Sequence, residues 1–167
     1  MKGLLAILGS ALIGLMLVTG EAQEIEPVTV GMDFVDLITI TETAALRYGI
    51  IDQALNLETI IIAPDSAESG TGTSLLLGGT RGAASLTVTA SASLTLTILV
   101  DAIFPGTGYA LSAFVCNYNN GTDTACNSYT PTSVASATLL IGATLTGDNT
   151  AVPGAADGSF NVTVAYQ

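Results

Sequence analysis

Apolar and polar side chains alternate with a period of two along most of this chain. In residues 85–90 and 94–98 aliphatic residues interleave with Ser and Thr, which puts one face of each strand on a core and the other in water. The last segment is the clearest case. Phe160, Val162, Val164 and Tyr166 alternate with Asn161, Thr163, Ala165 and Gln167, and this segment is assigned as a C-terminal core strand. Further strands are predicted over residues 37–41, 57–63, 75–77, 109–116 and 137–145. Between them lie Gly, Pro, Ser and Asn clusters at 69–72, 105–108, 147–149 and 153–154, which is turn chemistry. Short strands at this spacing predict an all-β fold, a β-sandwich or a barrel. No stretch carries a sustained 3.6-residue stripe, and residues 44–57 offer at most one helical turn.

The first 33 residues break the pattern. Met1 and Lys2 precede an uncharged run from Gly3 to Gly20, and Gly20-Glu21-Ala22 sets small residues around a cut after Ala22. That is the layout of a secretory signal peptide, assigned to residues 1–22. The acidic flank and the lack of a positive stop-transfer cluster argue against a retained anchor, so the membrane is met only during export. Residues 23–33 form an N-terminal extension that begins acidic, with Glu24 and Glu26. Val28, Val30, Met32 and Phe34 then alternate at its end. It reads either as a loosely held terminal strand or as a donor strand that completes a neighbour's sheet. The sandwich is assigned to residues 34–167.

Composition narrows the chemistry. The chain has 167 residues, 49% of them hydrophobic, with 14 Asp and Glu against 3 Lys and Arg, giving a net charge of −11. Removing residues 1–22 takes away Lys2 and Glu21, so the charge stays at −11. So acidic a chain lacks the basic face that nucleic acid or an anionic membrane requires. With no His, the commonest general base and transition-metal ligand are absent. The 23 Thr residues, together with Val and Ile, favour strands over helices.

Cys116 and Cys126 fit an oxidising compartment, and the Asn-Gly chemistry between them predicts a tight hairpin that brings them into bridging range. A disulfide closing about 11 residues stabilises by about 2.7 kcal/mol on the chain-entropy account. A redox role is disfavoured, because the spacing is not Cys-x-x-Cys and no cation is near in sequence. Catalysis is not expected. Asp33 and Asp36 are close enough in sequence to pair, but no apolar pocket for either is legible, and no Gly-x-Ser-x-Gly elbow occurs. Asn117, Asn119, Asn120 and Asp123, like Asp148 and Asn149, offer oxygen ligands for Ca²⁺, but without the spacing of a Ca²⁺ loop. Turn formation is the favoured role, and no cofactor is expected.

Several ordered blocks resemble a known group. Leu46-Arg47-Tyr48-Gly49-Ile50 is similar to a Leu-x-Phe-Gly-Ile element, and residues 59–65 resemble a strand ending in Asp-Pro, here reordered to Pro64-Asp65. Gly78-Gly79-Thr80-Arg81-Gly82-Ala83-Ala84-Ser85-Leu86-Thr87-Val88 resembles a Gly-Gly-x-x-x-Ala-x-Phe-x-Val block with Leu86 in place of Phe. Residues 141–146 and 158–167 are similar to closing strands of the form Gly-Gly-Thr-Leu and Gly-x-Phe-x-Val-Thr-Val-x-Tyr. The group is an uncharacterised secreted bacterial domain-of-unknown-function family that looks like fimbrial pilins and spore-coat-type subunits. The cysteine pair has no place in its common pattern.

The resemblance implies an immunoglobulin-like sandwich, exported to the cell surface and assembled as a filament or coat. In chaperone-assembled pilins a sheet lacks one strand, and a neighbour's N-terminal extension fills the gap. Here Val28, Val30, Met32 and Phe34 take that donor role. The expected partner is another copy of the chain in a head-to-tail homopolymer, served by a periplasmic chaperone and an outer-membrane usher. Lys-based cross-linking is excluded because no Lys follows residue 22, and the apolar run lacks the early Glu of a type IV pilin. The competing expectation is a monomeric secreted adhesion or ligand-binding module.

Overall fold

Branching at Cβ restricts the side chains of Thr, Val and Ile and favours extended backbone. The computed structural model describes residues 31–104, 106–154 and 158–167, and within them holds strands, turns and no α-helix. The strands are β1 (Thr39–Ala44), β2 (Arg47–Ile51), β3 (Asn56–Ile62), β4 (Glu68–Ser69), β5 (Leu76–Gly82), β6 (Ala84–Thr89), β7 (Leu96–Phe104), β8 (Tyr109–Tyr118), β9 (Thr124–Ala125), β10 (Ser136–Asp148) and β11 (Ser159–Tyr166). Single 3₁₀ turns occur at Thr73–Leu75 and Cys126–Ser128.

The long strand β10 organises the larger sheet. Along one edge it pairs with β8 from Leu139 to Gly147. Its other edge is shared in succession, by β6 from Ser136 to Ile141 and by β3 from Ala143 to Asp148. Gly142 stands at the changeover. A Cβ there would lie 2.2 Å from the Ile62 carbonyl oxygen, so only glycine lets the end of β3 approach so closely. β1 then pairs with β6, β4 with β3, and β9 with β8, all antiparallel.

The alternation set by sequence decides which face is buried. Ala137, Leu139, Ile141, Ala143 and Leu145 of β10 point inward with Leu86 and Val88 of β6 and Ile60 and Ile62 of β3. Opposite them β7 and β11 form a second antiparallel pair; Leu96, Ile98 and Val100 of β7 join Leu86, Val88, Leu139 and Ile141 in the main core, while Ile60 and Leu145 belong to a smaller one with Leu55. Of the sandwich and the barrel that the strand spacing allows, the fold is the all-β antiparallel sandwich. β2 and β5 form a third, two-stranded sheet.

Three expectations need correction. Residues 44–57, where the alternation predicts no strand before residue 57, carry β2, the start of β3 and a tight turn, because Leu46 packs on the main core while Tyr48 and Ile51 pack on a second one around Leu55, Ile60 and Leu145. The first core strand begins at Thr39 rather than at residue 37, since Leu37 is 85% exposed and only from Thr39 does the backbone find β6 as a partner. The turn between the cysteines is centred on Asn119 and Asn120, one position before the Asn-Gly step. Both have positive φ, and the Gly121 N–H donates to the Tyr118 carbonyl at 3.0 Å, as in a type I′ hairpin turn.

Candidate functional site

Among the described residues the second layer of the sandwich is the single pair β7 and β11. Among the described residues β11 pairs with β7 alone, and its other edge carries no strand. Its inward residues Phe160, Val162, Val164 and Tyr166 are consequently only half-buried. They pack on the margin of the core rather than within it, with Phe160 tilted against Phe114 at a ring separation of 4.9 Å. An unpaired strand edge beside exposed apolar surface is a template for another chain.

Beyond that edge lies a groove of about 1160 Å³. β2 forms its other wall, with Leu46, Tyr48 and Ile51. Leu86 of β6, Leu111 of β8 and Leu145 of β10 form the floor, and Phe160 and Val162 line the β11 side. The groove is thus bounded by strands on both sides and floored by the inner face of the large sheet, the shape left when one strand is omitted from a sandwich.

Backbone geometry holds the β2 wall. Gly49 has φ +78°, and a Cβ on it would meet the Gly78 carbonyl oxygen at 2.4 Å, so β2 and β5 approach closely only through glycine. The Tyr48 hydroxyl donates to the Ala143 carbonyl at 2.8 Å, tying the wall to the floor. Burial, and secondarily the neighbouring Tyr109, push this phenol above its ordinary range, so it remains a hydrogen-bond donor at physiological pH.

The groove and the root of the N-terminal segment lie toward opposite ends of the sandwich. β7 runs from the turn after β6 to the turn before β8, about 27 Å for its nine residues. At its start the Asp36 N–H donates to Ser91 Oγ, which donates in turn to Asp36 Oδ2. The Tyr166 hydroxyl accepts from the Ser91 N–H at 2.6 Å and donates to the Asp36 carbonyl at 2.9 Å. Buried Ser133 completes the node, accepting from the Leu94 N–H and donating to the Ser91 carbonyl. The groove reaches the far end, where Thr107, Gly108 and residues 151–154 line it.

Of the proposed donor residues, Val28 and Val30 lie outside the described residues. Met32 and Phe34 are 69% and 90% exposed, and Val35 and Leu37 are exposed with them. Four large apolar side chains in sequence succession thus face solvent. Cys116 and Cys126 are bonded, with Cα atoms 5.0 Å apart, and both are fully buried. The bond joins β8 to the 3₁₀ turn after β9 and serves as a core staple. Asn117 Nδ2 donates to the Gly121 carbonyl and to Asp123 Oδ1, which employs the Asp123 carboxylate in the turn, while the buried Asn117 Oδ1 has no hydrogen-bond partner among the described residues. Asp148 accepts from the backbone and side chain of Thr150 in the same manner. Among the described residues no group of three His, Cys, Asp or Glu converges on one point, and no helix is long and apolar enough to cross a membrane.

Sequence patterning located the β11 residues and the cysteine bond. It missed the groove, because Leu46, Tyr48, Leu111 and Phe160 are brought together only by the sandwich; the block at residues 46–50 marked the wall without revealing what it faces. Residues 38–166 match the family described as Domain of unknown function (DUF4402). No curated protein and no solved structure matches the chain.

Proposed function

This chain belongs to the DUF4402 family, defined as a domain of unknown function, and from that premise we propose that it is a non-enzymatic structural subunit of a bacterial surface filament or coat. It polymerises when residues 23–34 of one copy enter the groove of the next. The observation that carries this reading is that, among the described residues, one edge of β11 carries no strand and stands beside a groove with an aliphatic floor.

Three features support it. The alternating side chains Val28, Val30, Met32 and Phe34 span about 20 Å as a strand, and the β2 wall, Arg47–Ile51, continues along the groove through Asp52 and Gln53. Met32 and Phe34 lie uncovered in a single copy, and each such side chain, once buried, contributes about 1.5–3 kcal/mol. The root of the extension and the open end of the groove lie toward opposite ends of the sandwich, so joining copies is a heterologous contact that propagates into open fibres. A buried disulfide suits an extracellular or periplasmic site, and export through the signal peptide at residues 1–22 delivers the subunit there. A chaperone and usher serve the assembly by covering the groove until a strand arrives.

Deleting residues 23–33 is expected to yield folded, disulfide-bonded subunits that run as monomers in size exclusion and give no ladder on unboiled gels. The unaltered exported protein gives both the ladder and fibres in negative stain. Fibres from the deleted protein would refute strand exchange. A single monomeric peak from the unaltered protein at every concentration would instead favour the monomeric adhesion module, or occupation of the groove by the chain's own extension.

A further inference from the structure

Charge distinguishes one end of the groove from the other. After residue 22 the chain holds two basic side chains, Arg47 and Arg81. Both line a recess of about 490 Å³ that shares Glu42, Ala45, Arg47 and Thr80 with the groove. Arg81 is engaged, its Nε 2.6 Å from Glu68 Oε1. Arg47 is exposed and makes no ion pair among the described residues, although Glu42 lines the same recess. At the opposite end the lining is Asp52 with Gly108 and residues 151–154, and carries no cation.

The extension is polarised to match. Glu24 and Glu26 precede Val28 at the same alternation, so in an extended strand they point to the side that carries Val28, Val30, Met32 and Phe34. Glu26 lies about 7 Å beyond Val28, within reach of a long arginine side chain at the end of the groove. Asp33 has the opposite parity and faces away.

We propose that Arg47 sets the register and direction of the incoming strand by pairing with Glu24 and Glu26 of a second copy. This rests on the strand-exchange reading and adds what that reading leaves open. Apolar side chains alone fit a groove in either direction and at two-residue slips; a charge at one end removes that degeneracy. The reversed strand brings Glu24 and Glu26 to Asp52, a like-charge contact. In the assigned direction the strand runs antiparallel to β11 and leaves the groove near Gly108 and Gly154. There it continues toward the Asp36 end of the copy that owns it.

The test is charge exchange in the full chain, expressed with its own leader and purified after export. Assembly is followed by light scattering and by ladders on unboiled gels at low and high ionic strength. Arg47→Glu is expected to slow assembly about tenfold at low ionic strength through lost steering and added repulsion, with the deficit shrinking as salt screens the pair. Glu24→Lys with Glu26→Lys does the same, and the combination of all three restores the rate. Circular dichroism and an intact disulfide show that each variant is folded, and Arg47→Gln serves if the reversal impairs folding. Full-rate assembly by the Arg47 variants overturns the assignment, as does slowing that the combined variant does not restore. Absence of assembly by the unaltered chain is a separate result, which overturns strand exchange itself and this inference with it.

Discussion

At Tyr166 a single phenol joins three segments that are distant in sequence. It accepts from Ser91 in the turn after β6 and donates to Asp36 at the root of the extension, while its ring packs on the core from β11. Alternation predicted that Tyr166 faces inward; that its hydroxyl anchors residue 36 was not legible, because hydrogen-bond partners 75 and 130 residues away leave no local signal. Replacing it with Phe keeps the ring and leaves both backbone groups without this partner, at a cost of about 1–3 kcal/mol in urea unfolding. Asp148 gives a second prediction at this scale. Hydrogen bonds from the hydroxyl and then the backbone N–H of Thr150 hold its carboxyl below the usual carboxylate range. A depressed folded value means that the turn's contribution is complete above the unfolded value of about 3.9 and is lost as pH falls through the folded one. An NMR titration of Asp148 is expected to show a midpoint below that of an unfolded peptide, and Thr150→Ala to bring the two closer.

Among the elements, β11 and the Cys116–Cys126 loop show how far pattern alone reaches. The eight residues of β11 alternate so cleanly that their inward set was readable, yet whether that set is buried depends on what lies beside the strand, and nothing in the strand says that among the described residues only β7 does. The loop was legible because both the cysteine spacing and the Asn-rich turn are local. The turn nevertheless falls on Asn119-Asn120, since the pairing of β8 with β9, Val115 opposite Ala125 and Cys116 opposite Thr124, fixes the positions that must take positive φ. β2 was missed for the converse reason. Its Gly49 and exposed Ile50 spoil the alternation, and its strand character comes from close pairing with β5. Replacing both cysteines with Ala is expected to lower stability by about 3 kcal/mol in chemical denaturation. The secondary structure is retained, because the surrounding core from β6, β7 and β10 does not depend on the bond.

For the whole molecule, the net charge of −11 is unevenly spread. Residues 82–167 carry no basic side chain and four acids, Asp101, Asp123, Asp148 and Asp157, so the sandwich after β5 is nearly neutral and its edges are guarded by little repulsion. Trypsin has two targets after residue 22, Arg47 and Arg81. With the groove filled, Arg47 is covered, so limited digestion followed by mass spectrometry is expected to show slower cleavage at Arg47 in the assembled fraction than in the monomeric one. The sequence by itself determined the β class, the inward face of most strands and the bonded cysteines, because each follows from period or residue type. Only the tertiary structure decided that β10 shares one edge between β6 and β3, that among the described residues β11 pairs with β7 alone, and that a groove opens beside it. Those are properties of which strands meet, and a two-residue period is the same whether a strand is flanked on both sides or on one.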